Sequence, residues 1–123
     1  MEFVDVIGYE GLYKINQAGE VFGVKRQKIM KPRVRTGYYF VTLCKDSKHH
    51  KNYCIHRLLA LHFLPNPLNL PEIDHIDRNR LNNSLNNLRW VTHRDNMLNR
   101  GLVTTSGEHH INTTLYDTFQ VKI

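Results

Sequence analysis

The chain has 123 residues, 41% of them apolar and 23% charged, which excludes a wholly disordered or collagen-like chain and suits one compact domain or two very small modules. Seventeen Lys and Arg against eleven Asp and Glu leave a net charge of +6. No stretch approaches the ~20 consecutive apolar residues of a membrane span, and Met1 to Asp5 lacks the basic start and apolar run of a secretory signal, so the expectation is a soluble, cytoplasmic protein with no membrane partner.

In chain order, Ile7 to Ile15 and Val21 to Val24 alternate apolar and polar residues about the turn formers Asn16 and Gly19, the pattern of a small β-hairpin. Residues 24 to 51 then carry nine basic side chains (Lys25, Arg26, Lys28, Lys31, Arg33, Arg35, Lys45, Lys48 and Lys51) against the single acid Asp46. A positive stripe with Tyr38, Tyr39 and Phe40 inside it suits a polyanion, of which nucleic acid is the commonest. Within it Tyr38 to Cys44 reads as a strand, Asp46 to Lys51 as a polar turn, and Tyr53 to Ile55 as the returning strand of a second hairpin. Cys44 and Cys54 are the only cysteines, too few for a four-ligand zinc site and expected as reduced thiols. His56 to Leu64 holds strong helix formers and stops before Pro65, whose ring disfavours the helical conformation in the residue ahead of it.

Three of the four prolines fall in residues 65–71, which predicts a stiff, extended linker and a module boundary. Beyond it, Glu72 to His75 reads as a strand, Ile76 to Asn87 as a long loop with five asparagines, and Leu88 to Val91 as a second strand. Thr92-His93-Arg94-Asp95 fits a capping box that opens a helix of about two turns carrying Asn96. The segment from Gly101 to Ile123 is polar, with a net charge of −1, and adds no phosphate-binding surface. The expected divisions are residues 1–64, 65–71, 72–100 and 101–123.

This order of strand, loop, strand and helix can bring Asp74 and His75, at the end of the first strand, beside Asn96 on the first turn of the helix. Asp and Asn offer oxygen ligands, which suits Mg²⁺ or Mn²⁺ and disfavours a stable zinc site. Such an ion polarises a scissile phosphate and steadies the leaving oxygen, while a neutral His75 takes a proton from water. One ring nitrogen of His75 must then be held as a donor, a task open to the Asn87 side-chain carbonyl. Neighbouring strand residues face opposite ways, so Asp74 and His75 reach one phosphate only if the strand ends or bulges there.

Asp74-His75-Ile76-Asp77, Asn79, Asn82-Asn83, the run Asn87-Leu88-Arg89-Trp90-Val91-Thr92 and Asn96 together resemble the site of the HNH endonucleases, in the branch found among phage and intron homing endonucleases. Ile7-Gly8-Tyr9-Glu10-Gly11-Leu12-Tyr13 with Gly19-Glu20-Val21 is similar to the small β-module that precedes the nuclease in that branch. His56-Arg57-Leu58-Leu59-Ala60, followed by Pro65-Asn66-Pro67, is similar to the segment leading into the site. The resemblance covers nearly all of the chain up to Arg100. It implies an α+β fold, with a β-rich basic N-terminal module followed by a ββα-metal nuclease motif. It also implies a DNA endonuclease that hydrolyses phosphodiester bonds with one divalent cation, Mg²⁺ or Mn²⁺, nicking or cutting both strands as a monomer or homodimer. No small-molecule substrate is implied, and the compartment is the host cytoplasm if the chain is phage-encoded. By the same resemblance Asp74 and Asn96 are metal ligands, His75 is the general base, and Asn87 braces the loop and orients His75.

Two positions depart from the family pattern. Arg78 stands where many relatives have glycine, which implies a looser turn after Asp77 or a phosphate contact by Arg78; Asn96 replaces a histidine and is a weaker ligand. Arg89, beside the site, is a second phosphate candidate. Lys25, Arg26, Lys28, Lys31, Arg33 and Arg35 are the candidates for the backbone of double-stranded DNA. Trp90 and Leu88 are expected in the core, His56 in a cap or packing role, and His93 pointing away from the site. The segment Gly107 to Leu115 resembles a linker into a DNA-reading module. A protein of a different class fits the same residues: a DNA-binding accessory factor or repressor whose nuclease motif is catalytically weak. A third, an RNA-binding module, would use Tyr38, Tyr39 and Phe40 as a stacking platform.

Overall fold

The first hairpin is closed by Asn16, which is 1% exposed. Its Oδ1 accepts from the backbone N–H groups of Ala18 and Glu20, and its Nδ2 donates to Glu20 Oε1. In the computed structural model, which describes residues 2–99, this turn joins β2 (Tyr13–Ile15) to β3 (Val21–Gly23). Expectations for Arg100 and for residues 101–123, including the DNA-reading linker, lie outside the described residues. Two further strands, β1 (Val4–Asp5) and β4 (Lys28–Ile29), complete an antiparallel sheet in the order β1-β2-β3-β4. Each is two residues long, too short for any alternation to reveal it.

A second antiparallel sheet follows: β5 (Arg33–Arg35), β6 (Tyr38–Cys44) and β7 (His50–Cys54). All three residues of β5 are exposed, so this strand has no buried face to mark it in sequence. The return strand starts at His50, earlier than expected, because the ladder continues through polar residues to the Cys44–His50 pair. Helix α1 (Ile55–Phe63) comes directly after, then β8 (Glu72–His75) and β9 (Leu88–Val91), paired from Glu72 with Val91 to His75 with Leu88. Helix α2 (His93–Asn99) begins behind Thr92, whose Oγ1 accepts from the Asp95 N–H at 3.1 Å, as a capping residue should. The fold is α+β, and no helix among the described residues is long and apolar enough to cross a membrane.

One apolar cluster joins all three sheets. Ile15 and Val21 come from the first, with Val6 and Tyr9 from the segment between β1 and β2, Val41 and Leu43 from β6, and Ile73 and Leu88 from β8 and β9; Ile55, Leu58, Leu59 and Ala60 of α1 lie among them. The core therefore runs across residues 65–71. That segment is not uniformly extended. Asn66 folds it into a turn, its Nδ2 donating to Leu70 O and its Oδ1 accepting from Leu70 N. Trp90 Nε1 donates to Leu64 O at 3.1 Å, which ties β9 to the end of α1.

Gly19 is where the first hairpin meets the helix. Its φ of +83° is a left-handed backbone, and a Cβ there would meet Ile55 Cγ2 at 3.1 Å and Leu59 Cδ1 at 3.2 Å. Gly19→Ala is expected to cost about 2–4 kcal/mol, combining left-handed strain with overpacking against α1. The midpoint of urea unfolding measures it.

Candidate active site

Strand β8 ends at His75, as an approach of Asp74 and His75 to one phosphate requires, and up to that residue it pairs regularly with no bulge. Glu72 and Asp74 face α2, and the helix answers with amides three residues apart. Asn96 Nδ2 donates to Glu72 Oε1 at 2.8 Å, and Asn99 Nδ2 donates to both Asp74 oxygens at 3.0 and 2.8 Å. His93 Nδ1 also contacts Glu72, on the exposed side. Asp74 is 2% exposed, and Arg89 reaches its Oδ2 with Nε and Nη2, both at 3.1 Å. Burial pushes the Asp74 carboxyl above its usual range, against the lowering effect of the Asn99 hydrogen bond and of Arg89.

His75 faces the other way, into a space bounded by β6, α1 and the asparagine-rich loop. Its Nε2 lies 2.8 Å from Asn83 Oδ1. A carbonyl oxygen only accepts, so Nε2 carries a proton, and in the neutral ring Nδ1 is then the nitrogen with the free lone pair. The orienting contact thus comes from Asn83 and not from Asn87, because Asn87 is occupied in bracing the loop. Asn87 Oδ1 accepts from the Asp77 N–H, and its Nδ2 donates to Asp77 Oδ1 and Asn82 O. Asp77 is the hub of that loop, and hydrogen bonds from Asn82 and from the Asn79 N–H hold its carboxyl below the usual range.

Arg78 does not loosen the turn. It takes φ +65°, a glycine-like backbone, and its N–H donates to His75 O at 2.9 Å. Its side chain is exposed. Arg89, by contrast, is turned inward onto Asp74, with its side chain 11% exposed, so of the two candidates it is Arg78 that lies at the surface. Lys25, Arg26, Lys28, Lys31, Arg33 and Arg35 are all exposed, from the turn before β4 through β5. Arg33 is partly engaged, donating to Thr42 Oγ1 and lying 4.9 Å from the Phe40 ring centre.

His56 belongs to this site, closer to the chemistry than a cap or packing role suggests. Its ring centre is 4.9 Å from that of His75. Burial first, and then the neighbouring His75 and Arg57, push its imidazole down to about 4. An unfolded chain takes up that proton near pH 6.5, so neutral His56 contributes stability that is present above about pH 6.5 and lost as pH falls towards 4. The expected loss is about 3 kcal/mol. Urea midpoints between pH 7 and pH 4 measure it, and His56→Phe should flatten the dependence.

The oxygen-rich donor set fits a hard divalent cation. Asp74 supplies a carboxylate, and each of Asn96 and Asn99 offers a carbonyl oxygen on turning its amide about the last side-chain bond. Sequence reasoning misses Asn99, Asn83 and Glu72. For two of them a signal is present: Glu72 lies two residues before Asp74 on a strand, and Asn99 lies three after Asn96 on a helix. Asn83 stands in the Asn82-Asn83 pair of the motif but without a role, since only the folded loop brings it to His75.

A family model described as HNH endonuclease matches residues 53–98, and one described as NUMOD4 motif matches residues 1–44. The DNA endonuclease I-HmuI of Bacillus phage SP01 is 37% identical over 115 residues, covering 90% of this chain and 66% of its own length. H-N-H endonuclease F-TflII of Escherichia phage T5 is 39% identical over 89 residues, covering 70% of this chain and 46% of its own. The chain thus spans between about half and two thirds of these two relatives. The solved structure of the HNH homing endonuclease I-HmuI, from work on its DNA binding and cleavage, superposes with a TM-score of 0.71 at 36% identity, covering 92% of this chain and 67% of that one. With the motif in its expected order and the fold shared nearly throughout, the chain belongs to the HNH homing endonuclease family.

Proposed function

We propose that this chain is a DNA endonuclease that hydrolyses phosphodiester bonds, using His75 as general base beside a divalent cation, Mg²⁺ or Mn²⁺. The observation that carries the reading is the ending of β8 at His75: Asn99 Nδ2 donates to Asp74 and to the His75 carbonyl, and His75, the last residue of the strand, has its Nε2 held by Asn83. The lone pair on His75 Nδ1 accepts a proton from the attacking water, whose oxygen forms the new bond to phosphorus as an ester P–O bond breaks. Asp74, Asn96 and Asn99 would hold the cation. When bound, it supplies Lewis-acid polarisation of the phosphate and charge stabilisation at the leaving oxygen. Asn87 keeps the loop, and with it Asn83, in place. Arg78 takes a phosphate near the site, and Arg89 sets the Asp74 carboxylate.

Double-stranded DNA is the partner, gripped along its backbone by Lys25, Arg26, Lys28, Lys31, Arg33 and Arg35. One ββα unit holds one such site, so a monomer nicks. Replacing Lys25, Arg26 and Lys28 with Gln should weaken binding to all sequences alike and flatten the salt dependence by about 0.9 log units per log unit of salt for each phosphate no longer neutralised. Fluorescence anisotropy with a labelled duplex at several salt concentrations reads both effects. The reading as a whole is tested by nicking of supercoiled plasmid with Mg²⁺ or Mn²⁺. Binding without cleavage under either ion would overturn it in favour of an accessory DNA-binding protein.

A further inference from the structure

The three-ring cluster around His75 draws its other members from outside the ββα unit. Tyr38 opens β6 and His56 is the second residue of α1; the ring centres lie 5.0 Å apart for Tyr38–His56, 4.9 Å for His56–His75 and 5.9 Å for Tyr38–His75. Arg80, from the loop after β8, closes the circuit. Its guanidinium lies 5.2 Å from the Tyr38 ring centre, and its Nη1 approaches Thr36 O at 3.4 Å.

We propose that Tyr38 and His56 are positioning residues for His75, so that the orientation of the base is set by β6 and α1 and not by the ββα unit alone. This rests on the reading of His75 as general base. The hydrogen bond to Asn83 holds the Nε2–H tautomer only while the ring keeps its orientation, and an imidazole free to swing loses that contact. A neighbouring ring removes the freedom, and a small misplacement of a reacting group is costly in rate. His56 acts through its ring, which lies 4.9 Å from that of His75 at 57° between the planes; its Nδ1 is buried with no hydrogen-bond partner among the described residues, so no polar contact of that atom accounts for the side chain being there.

The full chain is assayed for plasmid nicking, with DNA affinity and the ¹⁵N shifts of the His75 ring measured in parallel. His56→Ala is expected to lower kcat by about 10- to 100-fold with KM for DNA unchanged, and to turn His75 from one Nε2–H tautomer into a mixture. His56→Phe should restore the wild-type kcat to within about threefold, because an aromatic ring is kept beside His75. If His56→Ala does not fold, Tyr38→Leu, at the half-exposed rim, is expected to show the same tautomer mixing. An unchanged tautomer in a folded variant, or a His56→Phe as impaired as His56→Ala, overturns the proposal. If wild-type protein does not cut DNA, the endonuclease reading fails, while the tautomer measurement still decides whether these rings position His75.

Discussion

His75→Ala is expected to slow DNA cleavage by about 10² to 10⁴, the usual worth of a positioned general base, while leaving DNA affinity within about twofold. The separation follows from where the groups sit. The basic side chains proposed to grip phosphates run from Lys25 to Arg35, on exposed turns and strands, whereas His75 is 6% exposed and held by Asn83. Removing the imidazole takes away the proton acceptor and leaves the charged surface intact. Plasmid nicking and anisotropy on the same preparations give the two readouts. Cleavage by the alanine variant at the wild-type rate would mean that another group accepts the proton, and the assignment of His75 would fall.

The second large effect is on stability. Arg89→Met is expected to destabilise the fold by about 3–5 kcal/mol at pH 7, because it strands the Asp74 carboxylate in the interior without its cation. Methionine keeps much of the volume, so the loss reports charge more than packing. The sign of the pH dependence follows from Asp74. Burial already raises its carboxyl above the usual range in the folded protein. A raised carboxyl contributes stability that is present below the unfolded pKa and lost as pH rises through the folded one. Without Arg89 the carboxyl rises further. The deficit of Arg89→Met should therefore be largest at neutral pH and shrink as acid protonates Asp74. Urea denaturation of the wild type, Arg89→Met, Asp74→Asn and the double variant forms a cycle in which the double change costs less than the sum of the single ones. Additive costs, or an Arg89→Met loss below about 1 kcal/mol, would show that the pair does not support the fold and would return Arg89 to the phosphate-binding candidates.

The elements flanking the chemistry are legible in the sequence because each is marked locally. Glu72 to His75 and Leu88 to Val91 appear as strands at their observed bounds, and Thr92 announces α2 with its cap. Alternation, turn chemistry and capping act over a few residues, and so do the signals that reveal them. The polar β5 and the two-residue β1 and β4 escape because they have no buried face to pattern.

The residue types of the proposed site are also determined locally: Asp74 next to His75, an asparagine-rich loop, and Asn96 on a capped helix supply oxygen donors and an imidazole. Which partner each of them meets was decided only by the tertiary structure. Asn83 rather than Asn87 holds His75, Asn99 joins Asp74, Arg89 turns inward, and His56 comes to the base from α1. The reason is physical. A side chain's neighbours across a core depend on how α1, β6, β8 and α2 pack together, and a packing of four elements is a property of the whole chain that no short window of it contains.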